Sequence, residues 1–167
     1  DDFPTDLPIV QGHELSGRVL EADPASGFAA GDRVVVDPLI ACRQCRVCQS
    51  GRHNVCPHLS VLGCYTDGGF TEVLRVGADR LHHVPTGLPL DVAAMSEPAS
   101  ISLQAVSRAQ PAPGEVALVL GCGPIGLLAV LGLVERGVTV IAADTDAERA
   151  ELAKIFGASE SFVVGAE

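Results

Sequence analysis

Hydrophobic and polar positions change rhythm along this chain. In the first third the period is two. LSGRVLE, Leu15 to Glu21, alternates well enough to predict a strand, and RVVVDP, Arg33 to Pro38, follows a Gly-Asp turn as a second. DGGFTEVLRVGADRLHHVP, Asp67 to Pro85, predicts further short β pieces separated by Gly and Pro. From Asp91 the spacing turns helical, with Pro98 placed to suit a first turn. PAPG, residues 111 to 114, predicts a joint. Val116 to Leu120 then forms a short, wholly apolar run, the signature of a parallel strand covered on both faces. A helix to about Glu135, a strand from Val138 to Ala143 ending at Asp144, a helix over 146–156 and a strand from Phe162 complete a βαβαβ pattern. Asp146 is placed to cap the second of these helices.

The fold class expected is therefore mixed, with irregular β structure first and an α/β segment after it. At 167 residues the chain can hold two small domains, and the pattern divides it into 1–95 and 96–167. Hydrophobic residues reach 47%, but there is no Trp and only one Tyr, so the core must be aliphatic. A net charge of −10 repels nucleic acid and anionic lipid, and no basic stripe offsets it; no nucleic-acid or membrane partner is expected. Val116 to Val134 is long enough for a membrane span, yet GCGPIG breaks it into strand, turn and helix. DDFPTDLPIVQG has neither a basic start nor an apolar block, so no secretory signal is expected there and a cytoplasmic location is. The third α/β strand stops almost as it begins, and the chain reads as the middle of a longer protein, inactive on its own.

Chemistry concentrates in two places. Four of the six cysteines, Cys42, Cys45, Cys48 and Cys56, fall in a C-x2-C-x2-C-x7-C cluster. Such spacing lets the sulfurs converge on one tetrahedral ion, and four thiolates leave no open position, so a structural zinc site over 42–56 is the favoured reading. Disulfides and an iron–sulfur cluster are the alternatives, although disulfides this close would restrain little chain entropy. Arg43, Arg46 and Arg52 are interleaved where they could offset surplus thiolate charge, or simply form a solvated run. Cys64 and Cys122 read as small buried hydrophobes.

The second place is G-x-G-x-x-G at Gly121, Gly123 and Gly126, directly after a strand and opening a helix, with an acid at the end of the next strand. Gly121 permits a tight turn, Gly123 lets the backbone approach a pyrophosphate, and Gly126 allows close helix–strand packing. Pro124 and Ile125 complete the cofactor-binding turn. Asp144 can accept adenosine ribose hydroxyls and repel a 2′-phosphate, which favours NAD over NADP.

Taken together, QGHELSG around His13, GDRV at Gly31 to Val34, the cysteine lobe, DGGFTEV, SEPASISLQAV and GCGPIG resemble the medium-chain zinc-containing alcohol and polyol dehydrogenases, the group that includes sorbitol and threonine dehydrogenases. The resemblance implies a partial GroES-like catalytic domain followed by the first half of a Rossmann NAD-binding domain. It implies one catalytic and one structural zinc. His13 matches the catalytic zinc's histidine ligand, Glu14 the neighbouring acid, and Glu97 a position that holds Glu in the polyol branch. It also implies that one catalytic-zinc Cys belongs to a segment preceding this chain. His53, His58, His82 and His83 match no ligand and are expected on the surface or in loops. The activity implied is zinc-dependent hydride transfer between a secondary alcohol or polyol and NAD, in a homo-dimer or homo-tetramer. The alternatives are a simple alcohol or an amino-sugar precursor as substrate, or a catalytically inactive zinc-stabilised fragment.

Overall fold

The computed structural model describes residue 5 and residues 7–165, in two compact units, Asp1–Glu97 and Pro98–Glu167. In the first unit, β1 (Ser16–Arg18), β2 (Arg33–Val36) and β5 (Leu81–His83) form an antiparallel sheet in the order β1-β2-β5. Val34 is the buried centre of this sheet, pairing with Gly17 on one side and His83 on the other. The alternation expected over Leu15 to Glu21 thus yields only three strand residues; Val19 N still meets Asp32 O in register, but Val19 O accepts from Gly31 N while Asp32 N turns to Ala29 O, and the ladder ends at the turn. A two-stranded ladder of β3 (Leu39–Ile40) and β4 (Ser60–Val61) brackets the cysteine lobe, which contains the single-turn helix α1 (Arg46–Gln49).

The β pieces expected in Asp67 to Pro85 reduce to β5. Among the described residues, 67–77 form no strand, for a visible reason. The amides of Gly68, Gly69 and Phe70 bond the carbonyls of Val10, Gly12 and Gln11, so successive residues all reach one three-residue segment instead of alternating as in a ladder. The helical stretch from Asp91 is also divided, into α2 (Leu90–Ala94) and α3 (Ser96–Ala109). Pro98 explains the break: it has no N–H for the Ala94 carbonyl, and its ring would press on that carbonyl in a continuous helix. It sits instead in the first turn of α3.

In the second unit, β6 (Val116–Leu120), β7 (Thr139–Asp144) and β8 (Glu160–Val163) form a parallel sheet in the order β6-β7-β8, with α4 (Pro124–Val134) and α5 (Ala147–Ile155) as crossovers. The core joins Val106 of α3 to Cys122, Leu127, Val130 and Leu133, Val138 and Val140 of the second strand region, and Ala153 and Ala158. Small side chains let the layers approach: Ala142 is fully buried in β7, and a Cβ at Gly132 would meet Leu103 Cδ2 at 2.8 Å. Coverage of β6 on both faces is not observed. Ala117 and Val119 pack against the core, whereas Val116, Leu118 and Leu120 remain 65%, 60% and 74% exposed. β6 ends the strand order, and no described element of the second unit packs on the face that these three side chains share. Asp146 caps α5 as expected, its side chain accepting from Glu148 N and Arg149 N.

Candidate functional site

The cysteine lobe is built by local turns. Cys45 precedes α1 as its N-cap, its Sγ accepting from Cys48 N at 3.4 Å, while left-handed backbone at Arg43 and Gly51 bends the chain on either side. These turns converge the sulfurs: Cys42 Sγ lies 3.9 Å from Cys48 Sγ and 3.5 Å from Cys56 Sγ, and Cys45 Sγ lies 3.9 Å from Cys56 Sγ. All four are free thiols whose ligand atoms lie within 4.8 Å of one another. A disulfide would need about 2.05 Å. Sulfurs at about 2.3 Å from one tetrahedral ion stand roughly 3.8 Å apart, so the donor set fits zinc in both chemistry and span. Backbone amides of Gln44 and Cys45 pull the Cys42 thiol down to about 6, while burial pushes Cys48 up to about 12. A cation bound there would displace the Cys48 proton. The Arg43 guanidinium forms an exposed 2.6 Å ion pair with Asp79, which takes up its charge.

A second group forms in the same unit. His13, Glu14 and Glu97 each offer a ligand atom within 4.8 Å of the others, although Glu97 is far along the chain in the first turn of α3. Glycines seat the His13 segment. A Cβ at Gly12 would meet the Phe70 ring at 2.7 Å, and one at Gly63 or Gly68 would run into the Gly12 backbone. His13, Glu14 and Phe70 line a cavity of about 400 Å³. Burial pushes the Glu97 carboxyl above its ordinary range; the His13 charge opposes this, and Glu14 and Asp37 reinforce it. Three carboxylates repelling one another beside an imidazole are relieved by a cation, and one nitrogen with hard oxygens is a donor set that zinc accepts. The four histidines expected to be non-ligands are exposed, although His82 and His83 lie on β5 and His83 stacks on Phe28 at 4.5 Å.

Sequence reasoning missed one member of this neighbourhood. Cys64, expected to be a buried hydrophobe, is half-buried, lines the same cavity and places Sγ 3.8 Å from His13 Nδ1. A lone cysteine gives no spacing signal, so only the fold reveals it. Cys122 behaves as expected and is fully buried.

In the second unit, the three motif glycines have three different reasons to be glycine. Gly121 has φ +90°, which favours glycine. A Cβ at Gly126 would stand 2.9 Å from the Gly121 carbonyl carbon and closer still to its oxygen. A Cβ at Gly123 would meet nothing; that residue caps α4 without a side chain, leaving open space before the helix N–H groups. Pro124 occupies the first turn, and Ile125 is 45% exposed beside the opening. An unobstructed helix N-terminus of this kind suits a phosphate. From α3, the buried Ser102 hydroxyl lies within bonding distance of both Pro98 O and Ile125 O, steadying the first turn of α4.

Asp144 ends β7 directly below this turn. Its Oδ2 accepts from Cys122 N at 2.6 Å and its Oδ1 from Asp146 N at 2.9 Å. The Asp146 amide and then the Cys122 amide hold its carboxyl below the ordinary range against the opposing effect of burial, with help from Arg149 and Thr145. The group is therefore ionised near neutrality, and the stability it contributes is present above its unfolded value and lost as pH falls through the folded one. Each carboxylate oxygen keeps a further acceptor site, so ribose hydroxyls could still be received. Asp144 also organises the glycine turn, a task the sequence pattern does not disclose.

Residues 2–86 match the alcohol dehydrogenase GroES-like domain family. The chain is 33% identical over 161 residues to sorbitol dehydrogenase of Bacillus subtilis (strain 168), covering 95% of this chain and 46% of the relative. Its fold is similar to a zinc-binding dehydrogenase of Sinorhizobium meliloti 1021 bound to NADP, with TM-score 0.89, 37% identity, and 96% and 47% of the two chains covered. It is similar also to the RspB alcohol dehydrogenase of Escherichia coli CFT073 complexed with NADH, with TM-score 0.87, 37% identity, and 95% and 48% covered. The chain spans less than half the length of each of these three proteins.

Proposed function

Because the chain belongs to the alcohol dehydrogenase family with a GroES-like domain, we propose that the protein containing it transfers hydride between a secondary alcohol or polyol and NAD. The observation that carries this reading is the convergence of His13, Glu14 and Glu97, in a chain that also builds an open glycine turn for a dinucleotide. The fold is a GroES-like β-rich part followed by the first strands of a dinucleotide-binding α/β part, with 1–95 and 96–167 proposed as the catalytic and coenzyme portions. When bound, a zinc ion would supply Lewis-acid polarisation of the substrate hydroxyl and the nicotinamide a hydride acceptor.

The chain's own residues supply position and charge. His13, Glu14 and Glu97 would hold the catalytic zinc, and Cys42, Cys45, Cys48 and Cys56 the structural one. Gly121, Gly123, Pro124, Ile125 and Gly126 would cradle the pyrophosphate, with Asp144 receiving the ribose. A small hydroxylated substrate suits the hard oxygen donors of Glu14 and Glu97. Among the described residues no helix is long and apolar enough to cross a membrane. A cytoplasmic location, which the free thiols suit, and homo-dimer or homo-tetramer assembly belong to the same proposal.

The test is a comparison of kcat/KM for NAD and NADP, with a polyol substrate, in the full-length protein and its Asp144→Ala variant. Wild type should prefer NAD. The variant should lose roughly ten- to hundredfold with NAD, because a charged acceptor facing two hydroxyls is removed. Its unfolding midpoint should also drop, since the Cys122 amide loses its partner. Wild-type preference for NADP, or an unchanged cofactor ratio in the variant, would overturn the assignment of Asp144 to the ribose.

A further inference from the structure

The contact between Cys64 and His13 has a chemical consequence. A neutral imidazole carries one N–H and one lone pair; metal binding uses the lone pair, and the remaining N–H needs an acceptor that fixes the ring. In this chain Nδ1 faces the Cys64 sulfur at 3.8 Å, which leaves Nε2 as the nitrogen for a cation. The sulfur is held in place by its backbone: Cys64 N bonds Val61 O, Cys64 O accepts from the Thr5 hydroxyl, and the preceding Gly63 N bonds Thr66 O. Those bonds tie Cys64 into a tight turn next to the Gly12–His13 segment, where a Cβ on Gly63 would collide with Gly12. Ring and thiol share the wall of one cavity, so the pair is formed by the fold and not by a chance surface encounter.

We propose that Cys64 is a positioning residue for His13: its sulfur accepts the Nδ1 proton and keeps the ring in the tautomer whose Nε2 lone pair is free for the cation that Glu14 and Glu97 would also hold. The inference rests on His13 being a zinc ligand, as proposed above. It assigns Cys64 no bond to the metal. Sulfur is a weak acceptor, and a Ser hydroxyl offers a stronger one of smaller size; Ala offers none, and Val fills the space without one.

The experiment uses the full-length protein with Cys64→Ala, Cys64→Val, Cys64→Ser and His13→Ala variants. Chelator competition reads zinc affinity, and the visible spectrum of the Co(II)-substituted protein reads ligand geometry. Ala and Val should each weaken zinc binding at the histidine site by roughly ten- to hundredfold and broaden the Co(II) bands, and Ser should restore both. Wild-type affinity in Ala and Val, or a Ser variant as weak as Ala, would overturn the positioning role. A sulfur-to-cobalt charge-transfer band lost in Ser would overturn it too, because Cys64 would then be a ligand. The premise fails separately: if His13→Ala retains the wild-type zinc content, His13 is no ligand, whatever the Cys64 variants do.

Discussion

Cys45→Ser in the full-length protein is expected to bind one zinc ion fewer than wild type and to open the 42–56 lobe to limited proteolysis. Two losses coincide at this residue. Its sulfur stands among the four converging thiols, and it also caps α1 by accepting from Cys48 N. A Ser hydroxyl can replace the cap but does not ionise as a thiol does. The lobe has little else to hold it. Its helix is a single turn, and within it only Cys48 and Cys56 are buried. Zinc binding at such sites is folding energy, roughly 10–16 kcal/mol in small zinc-finger peptides, so losing a ligand removes most of what orders the loop. Metal analysis and protease mapping together decide the matter. A Cys45→Ser protein with wild-type zinc content and an intact lobe would show that the thiols do not form the site.

Gly126→Ala should be the second most damaging change, and Gly123→Ala provides its control. At 126 the new Cβ would press into the Gly121 carbonyl, and neither the turn nor α4 can yield without disturbing the other. Gly121 N is bonded to Ala143 O, and Leu127 N to Gly123 O. Separating helix from turn should therefore cost about 3 kcal/mol or more, the upper range for overpacking, with loss of NAD affinity in parallel. At 123 the added Cβ meets no protein atom and φ is an ordinary −71°, so stability should stay near wild type. NAD affinity should nevertheless fall, because the methyl occupies the approach that a phosphate needs. Thermal unfolding and calorimetric NAD titration separate the two cases. Equal stability of Gly126→Ala and wild type would contradict the close packing, and undiminished NAD binding by Gly123→Ala would contradict the phosphate's approach at that position.

What could be read from the residues is what chemistry places at fixed spacing. The cysteine lobe and the glycine turn are local: turns only a few residues long bring their functional atoms together, and the sequence shows those turns directly. Asp146 was equally legible, because a cap depends on its own helix alone. His13 and Glu97 are different. Nothing in their spacing joins them; the fold does, through a segment seated by Gly12, Gly63 and Gly68. Family resemblance supplied what periodicity could not. The Cys64 contact escaped both, since it depends on a turn at Gly63 bringing a single thiol to one ring nitrogen. The outer face of β6 shows the opposite limit. An apolar run reports that a strand favours burial, but Val116, Leu118 and Leu120 do not report which neighbour would supply it. Likewise DGGFTEV looks like strand by composition, and the amides of Gly68, Gly69 and Phe70 are instead drawn to residues 10–12.

Two zinc sites with separate tasks are expected in the full-length protein, one ordering the cysteine lobe and one serving hydride transfer. The most direct measurement is zinc content per chain together with NAD-linked polyol oxidation, in the full-length protein and its His13→Ala variant. His13→Ala should lose one zinc ion, keep the ion of the cysteine lobe and the folded lobe around it, and drop turnover by on the order of a thousandfold, the equivalent of several kcal/mol of lost Lewis-acid stabilisation. A His13→Ala protein that keeps its full zinc content and oxidises polyol at the wild-type rate would contradict that expectation.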